Sequence, residues 1–270
     1  MTLWNALLSH RMRRISLFAA ALWLNPPAVA SAAFETFSDP EGEWLAQGWE
    51  SPLNGCWKAS ITRTDRYALP ELGVTGLNLR FTPPRTNKRI QRDYGLRALF
   101  AGDEIYSEWR AALVCGLLLP ARDLEVKVWA GNQGLNVRNG PKNRRLFVGG
   151  RASGRISNLI SAETGLDGLD LPYEPDRIFT PVGWMFCRFG NPFNYLLVGG
   201  EFRSGAGARI LIGVEAALMN RLTLRILASD HPGRLGGSIA LAAGRFKFST
   251  SYSHQPVVGW TRRLGTSAEW

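Results

Sequence analysis

From Ala208 to Met219 apolar and polar residues alternate. The even positions Ala208, Ile210, Ile212, Val214, Ala216 and Leu218 are all apolar, while the odd set includes Arg209, Gly213 and Glu215. In Arg221 to Ser229, Leu222, Leu224, Ile226 and Ala228 oppose Arg221, Thr223, Arg225 and Ser229. Leu124 to Ala130 sets Leu124, Val126, Val128 and Ala130 against Glu125, Lys127 and Trp129. Arg245 to Tyr252 sets Phe246, Phe248 and Tyr252 against Arg245, Lys247, Ser249 and Ser251. Successive side chains of a strand point to opposite faces, so each segment carries one apolar and one polar face. A helix would gather residues three and four apart, a spacing these segments do not respect.

The connections fit the same grammar. Met219-Asn220 joins two strands almost directly, and Asp230-His231-Pro232-Gly233 has the composition of a turn. Ser204 to Gly207 and Ala243-Gly244-Arg245 are further tight connections. From Tyr195 onward the chain reads as a meander of about six strands, neighbours pairing antiparallel. With earlier segments such as Val74 to Phe81, the expectation is an all-β, antiparallel up-and-down barrel of roughly 10–12 strands. Residues 31–70 show no period and are expected to be irregular, with a short helix or plug-like segment at Glu41 to Gln47. Asn139 to Arg145 and Gly165 to Asp176 read as loops. Repeats of fixed length and heptads are absent.

A soluble β-sandwich also alternates, so the pattern does not choose between sandwich and barrel. Residues 11–33 change the picture. Arg11, Arg13 and Arg14 precede an apolar run from Ile15 to Leu24, Asn25-Pro26-Pro27 breaks it, and Ala28-Val29-Ala30 or Ala30-Ser31-Ala32 supplies small residues for cleavage. These are the three parts of a secretory leader, and the run is too short for a spanning helix. The expected division is a leader at 1–30, an irregular segment at 31–70 and a barrel at 71–270. The expected location is the outer membrane of a Gram-negative-type bacterium. Mean hydropathy is −0.10. A barrel accommodates that value, because its strands need only about 9–11 residues of alternating character.

In a membrane the apolar face turns to lipid. That assigns Arg209, Glu215, Arg221, Arg225, Arg245 and Lys247 to the lumen, with small residues Gly199, Gly213, Ala240 and Ala242 on the same inner face. The assignment predicts that Ile212→Arg is costly and that Glu215→Arg is tolerated. Ten Trp, thirteen Phe and six Tyr suit girdles at both membrane interfaces. Trp270, sharing a face with Leu264 and Trp260, has the form of a signal for the barrel-assembly machinery.

The net charge is +10, and about +7 once the three leader arginines are removed. No run of five Lys or Arg exists, so the charge points to a basic lumen or a rim facing anionic lipid rather than to nucleic acid. Cys56, Cys115 and Cys187 form no CxxC, and Cys115 in the run Ala111 to Leu119 reads as a small buried hydrophobe. One cysteine pair could oxidise, leaving one thiol over. No cofactor or metal is expected. Asp167, Asp170, Glu174 and Asp176 could hold calcium, but an acidic solvent-exposed loop is the preferred reading.

The last 75 or so residues carry a further pattern. Arg225, the turn Asp230 to Arg234, the Gly-rich Gly236 to Ala242, Arg245-Phe246 and Tyr252-Ser253-His254-Gln255-Pro256 follow one another. This run resembles the C-terminal hairpins of PorV/PorQ-like outer-membrane barrels, relatives of the FadL fatty-acid transporters. Gln255 departs from the usual spacing, and the chain is shorter than FadL-like proteins. The resemblance implies passage of hydrophobic or small solutes, or a membrane partner in export or envelope assembly. A soluble periplasmic β-sandwich that binds a ligand and an outer-membrane lipid-modifying enzyme remain as alternatives. For the enzyme, His254 with Ser249 or Ser251 is the candidate pairing, because adjacent Ser253 and His254 should diverge to opposite faces. Gly-x-Ser-x-Gly is absent, and the expectation is no enzyme.

Overall fold

The structure, a computed structural model, describes residues 56–66, 69–84, 90–102, 106–120, 123–138, 142–171, 181–191, 193–203, 207–219, 221–230, 233–256 and 259–270. The expected leader, the expected helix at Glu41 to Gln47, and Glu174 and Asp176 lie outside these residues. The strands are β1 (Cys56–Arg66), β2 (Leu69–Thr82), β3 (Gln91–Gly102), β4 (Tyr106–Leu119), β5 (Leu124–Val137), β6 (Lys142–Ser157) and β7 (Ile160–Leu171). They continue with β8 (Val182–Gly190), β9 (Asn194–Arg203), β10 (Gly207–Met219), β11 (Leu222–Ser229), β12 (Arg234–Ala243), β13 (Phe246–Gln255) and β14 (Gly259–Glu269). Each pairs antiparallel with the next, and β1 pairs with β14 to close the barrel.

The fold is the expected up-and-down barrel, with 14 strands instead of 10–12. The additional strands come from segments whose alternation is broken. β1 falls inside the stretch expected to be irregular, so the barrel begins at Cys56. β6 starts at Lys142, inside the expected loop Asn139 to Arg145. β7 runs to Leu171, through much of the expected loop Gly165 to Asp176. The six strands β9 to β14 match the meander read from Tyr195 onward.

Closure is secured at the seam. Trp57 and Trp270 exchange two backbone hydrogen bonds, Trp57 N to Trp270 O at 2.7 Å and Trp270 N to Trp57 O at 3.0 Å. Local chemistry fixes the tight turns. Asn191 Oδ1 accepts from the backbone N–H groups of Phe193 and Asn194, both at 2.8 Å, an Asx turn between β8 and β9. Gly244, with φ +60°, turns the chain between β12 and β13.

The two faces are strongly unlike. In β10, Ile210, Ile212 and Val214 are 61%, 52% and 47% exposed, whereas Arg209, Leu211 and Glu215 between them are buried. In β11, Ile226 is exposed while Arg225 and Leu227 are buried. On a closed wall the buried set points inward and the exposed set outward. Cys115 belongs to the exposed set, beside Leu113 and Leu117, which corrects its reading as a buried residue. Its run is apolar on both faces, so sequence parity could not choose a side. None of the three cysteines lies in a disulfide.

Candidate functional site: the barrel interior

Charged residues on the inner face are joined into networks. In one, Asp93 on β3 takes Arg80 Nε at 2.7 Å and the Thr82 hydroxyl at 3.3 Å, and Lys127 Nζ stands 3.5 Å away. Lys127 also pairs with Glu125 at 3.0 Å, and Glu125 receives Arg80 at 3.4 Å and Arg151 at 3.5 Å. Arg151 reaches Glu163 at 3.8 Å, and Trp184 Nε1 donates to Glu163 at 3.0 Å. The cations Arg80, Lys127 and Arg151 alternate with the carboxylates Asp93, Glu125 and Glu163 from β2 to β7. Asp93 on β3 and Lys127 on β5 meet across β4 because β4 presents Gly116 there. A Cβ on Gly116 would lie 3.0 Å from Asp93 Cβ and 3.2 Å from Lys127 Cγ.

A second network centres on Asp167, which accepts Arg110 NH1 at 2.7 Å and Trp129 Nε1 at 2.6 Å. Asp170 accepts from Gln133 Nε2, and the Arg110 guanidinium lies 3.8 Å from the centre of the Phe147 ring. Asp167 and Asp170 are three apart and would face opposite sides of a regular strand. Here one residue of β6, Gly149, stands opposite two of β7, Asp167 and Gly168. Gly168 has φ +78°. This bulge resets the alternation, so both carboxylates are buried. They are not the exposed acidic loop expected from sequence, because Arg110 and Trp129 hold Asp167 and Gln133 holds Asp170. Glycine also makes room for Trp129, whose indole lies where a Gly149 side chain would be.

The residues assigned to the lumen separate into two groups. Glu215 accepts Tyr195 Oη at 2.9 Å and Arg225 Nε at 2.6 Å, all buried. Arg209 gives NH2 to Glu201 at 2.8 Å, and Arg203 pairs with the same carboxylate. Lys247 is half-buried in β13. Arg221 and Arg245 instead sit in turns and are exposed. Each lies one residue outside its strand, since β11 starts at Leu222 and β13 at Phe246. Trp260, Leu264 and Trp270 are exposed.

The sequence did not single out Asp93, Glu163 or Trp184. Trp184, Phe186, Tyr195, Leu197, Leu211 and Leu227 form an apolar cluster on the inner face of β8 to β11, with Trp129 against it. The neighbouring sector is small and hydroxylic, with Ser238, Ser251, Ser253 and Thr64 buried. Arg234 Nε donates to Ser253 at 3.0 Å, and Arg263 Nε donates to Thr64 at 2.8 Å. The pairing considered for hydrolysis is not formed. Ser251 and Ser253 are buried inward, whereas His254 packs on the exposed Trp260 ring at 4.8 Å.

No family model matches the chain, and no curated protein does. Among solved structures, the chain is similar to a mutant of the Rh. blastica porin at 10% identity, with a TM-score of 0.41 and coverage of 81% of this chain and 99% of that one. A triple mutant of the Rhodopseudomonas blastica porin aligns over the same shares at 11% identity, with a TM-score of 0.41.

Proposed function

We propose that this chain is an outer-membrane β-barrel that lets hydrophobic or small solutes cross the membrane. One observation carries the reading: the wall is inverted relative to a water-soluble protein. Leu113, Val128, Ile226 and Ile239 are exposed on the outside, while Arg225, Glu201, Asp167 and Asp170 are buried inside. Burying charge is expensive and exposing a continuous apolar belt to water is unfavourable, so the arrangement suits lipid outside. Aromatic residues flank the belt. Trp57 stacks on Phe81 at 4.5 Å near exposed Trp270 and Phe246 at one end, and Phe100, Tyr252 and Trp260 are exposed toward the other.

Barrels of this kind keep short turns on the periplasmic side. Two-residue turns at Asn158-Leu159 and Gly244-Arg245 lie at the Trp57 end, where β1 begins and β14 ends. The Trp57 end is therefore assigned to the periplasm. The outward face of Trp260, Leu264 and Trp270 is the surface offered to the barrel-assembly machinery. The PorV/PorQ–FadL resemblance of the last hairpins and the apolar inner cluster support a solute with an apolar part.

The test is reconstitution. Barrel folded into vesicles should resist carbonate, shift in gel mobility on boiling, and raise the entry rate of a short-chain fatty acid over protein-free vesicles. A chain that washes off and shows no shift refutes the membrane reading. A firmly inserted chain with no added permeability refutes passage alone.

A further inference from the structure

A shaped depression lies on the outer wall where β12, β13, β14 and β1 run side by side. It holds about 580 Å³ and is almost wholly apolar. Register explains it. Thr250, Leu264 and Arg63 form one row across β13, β14 and β1, and Phe248, Thr266 and Ile61 form the next row toward the Trp57 end. Thr250 and Thr266 are short where their neighbours are long, so they form a floor between walls of Ile61, Phe248, Leu264 and Leu241.

Charge sits at one end of this trough. Arg63 is part of its lining. The next row away from the Trp57 end is Tyr252, Arg262 and Asp65. Arg262 is exposed, its guanidinium 5.8 Å from the Tyr252 ring centre. Arg63 bonds Asp65 through Nε at 2.9 Å and the Thr75 hydroxyl through NH1 at 3.1 Å. Among the described side chains at this rim, two guanidiniums stand against one carboxylate. Long cationic side chains near a membrane boundary extend toward the head groups, and a guanidinium matches phosphate geometry with paired donors.

We infer that this face is a binding site for a phosphate-bearing membrane lipid, its acyl chain in the trough and its phosphate between Arg63 and Arg262. The inference rests on the barrel facing lipid. An apolar slot alone would accept any acyl chain, and the cationic rim selects the anionic head. The lipid comes from the leaflet away from the Trp57 end, because the arginines lie on that side of the trough.

The experiment uses the full mature chain folded in neutral detergent and first checked for heat-modifiable mobility and carbonate resistance in vesicles. Native mass spectrometry then compares phosphatidic acid, phosphatidylcholine with the same acyl chains, and inorganic phosphate. One phosphatidic acid should be retained about tenfold over phosphatidylcholine, with phosphate alone not retained. R63Q combined with R262Q should bring the two lipids to parity, and Thr266→Phe, which fills the trough, should weaken both. A well-folded, inserted barrel without head-group preference overturns the site while leaving the membrane reading intact. So does unchanged preference in the arginine variant, or phosphate retained as well as the lipid. A chain that does not insert overturns the membrane reading and the site with it.

Discussion

Replacing Glu215 tests the interior most sharply. Its carboxylate takes Arg225 Nε at 2.6 Å and Tyr195 Oη at 2.9 Å, and Arg225 is 3% exposed. Glu215→Leu removes the carboxylate that this buried guanidinium faces. Removing one partner of a buried pair costs about 3–5 kcal/mol. The Tyr195 hydroxyl, left without its acceptor, adds about 1 kcal/mol. Replacing both Glu215 and Arg225 by Leu removes the stranded charge, and such double replacements are often close to neutral. The expected result is a single variant destabilised by about 4 kcal/mol and a double variant within about 1–2 kcal/mol of the parent. Glu215→Arg, expected from sequence to be harmless, should be the worst of the set, because it places two guanidiniums together. Urea titration of the barrel in lipid vesicles, read by tryptophan fluorescence and heat-modifiable mobility, measures each. If Glu215→Leu and Arg225→Leu are both mild and simply add, the pair is not a buried ionic contact and the inward assignment of β10 and β11 fails.

Three further outcomes follow from the same geometry. Ile212→Arg, mid-strand on the outer face, should cost about 2–4 kcal/mol in the same titration, and a negligible cost would put that face in water. Gly149→Val should force Trp129 off its glycine and break its bond to Asp167, costing about 1–3 kcal/mol and shifting the tryptophan emission; an unchanged spectrum would count against that packing. Gly168→Val forces a β-branched side chain into a backbone with φ +78°, costing about 1–3 kcal/mol, while a parent-like urea midpoint would show that the bulge does not depend on glycine.

The strands with clean alternation were legible because an apolar outer face and a charged inner face enforce a strict period of two. β10, β11 and β13 follow it, and so do their turns. β7 was hidden because its bulge breaks the period and its Gly and Asp residues resemble a loop. Those glycines accommodate indoles, as Gly165 does for Trp184, and the aspartates serve partners on other strands. β1 was hidden because its outward side carries Arg63 and Asp65 among apolar residues. Arg209, Glu215 and Arg225 could be placed on one face from sequence, but their partners could not. Asp167 meets Arg110 across 57 positions of chain, a distance no local pattern encodes.

The seam between β1 and β14 has a consequence for how the chain comes into being. Arg263 and Thr64, bonded across it, are 199 positions apart. Pairing of such separation is slow, because the chain must lose its loop freedom before the contact repays it. Until the last strand is available the growing sheet has two bare edges, each a template for a neighbouring molecule. A truncated chain is therefore not a smaller barrel but an open, adhesive ribbon, its two edges uncovered until residues 259–269 arrive.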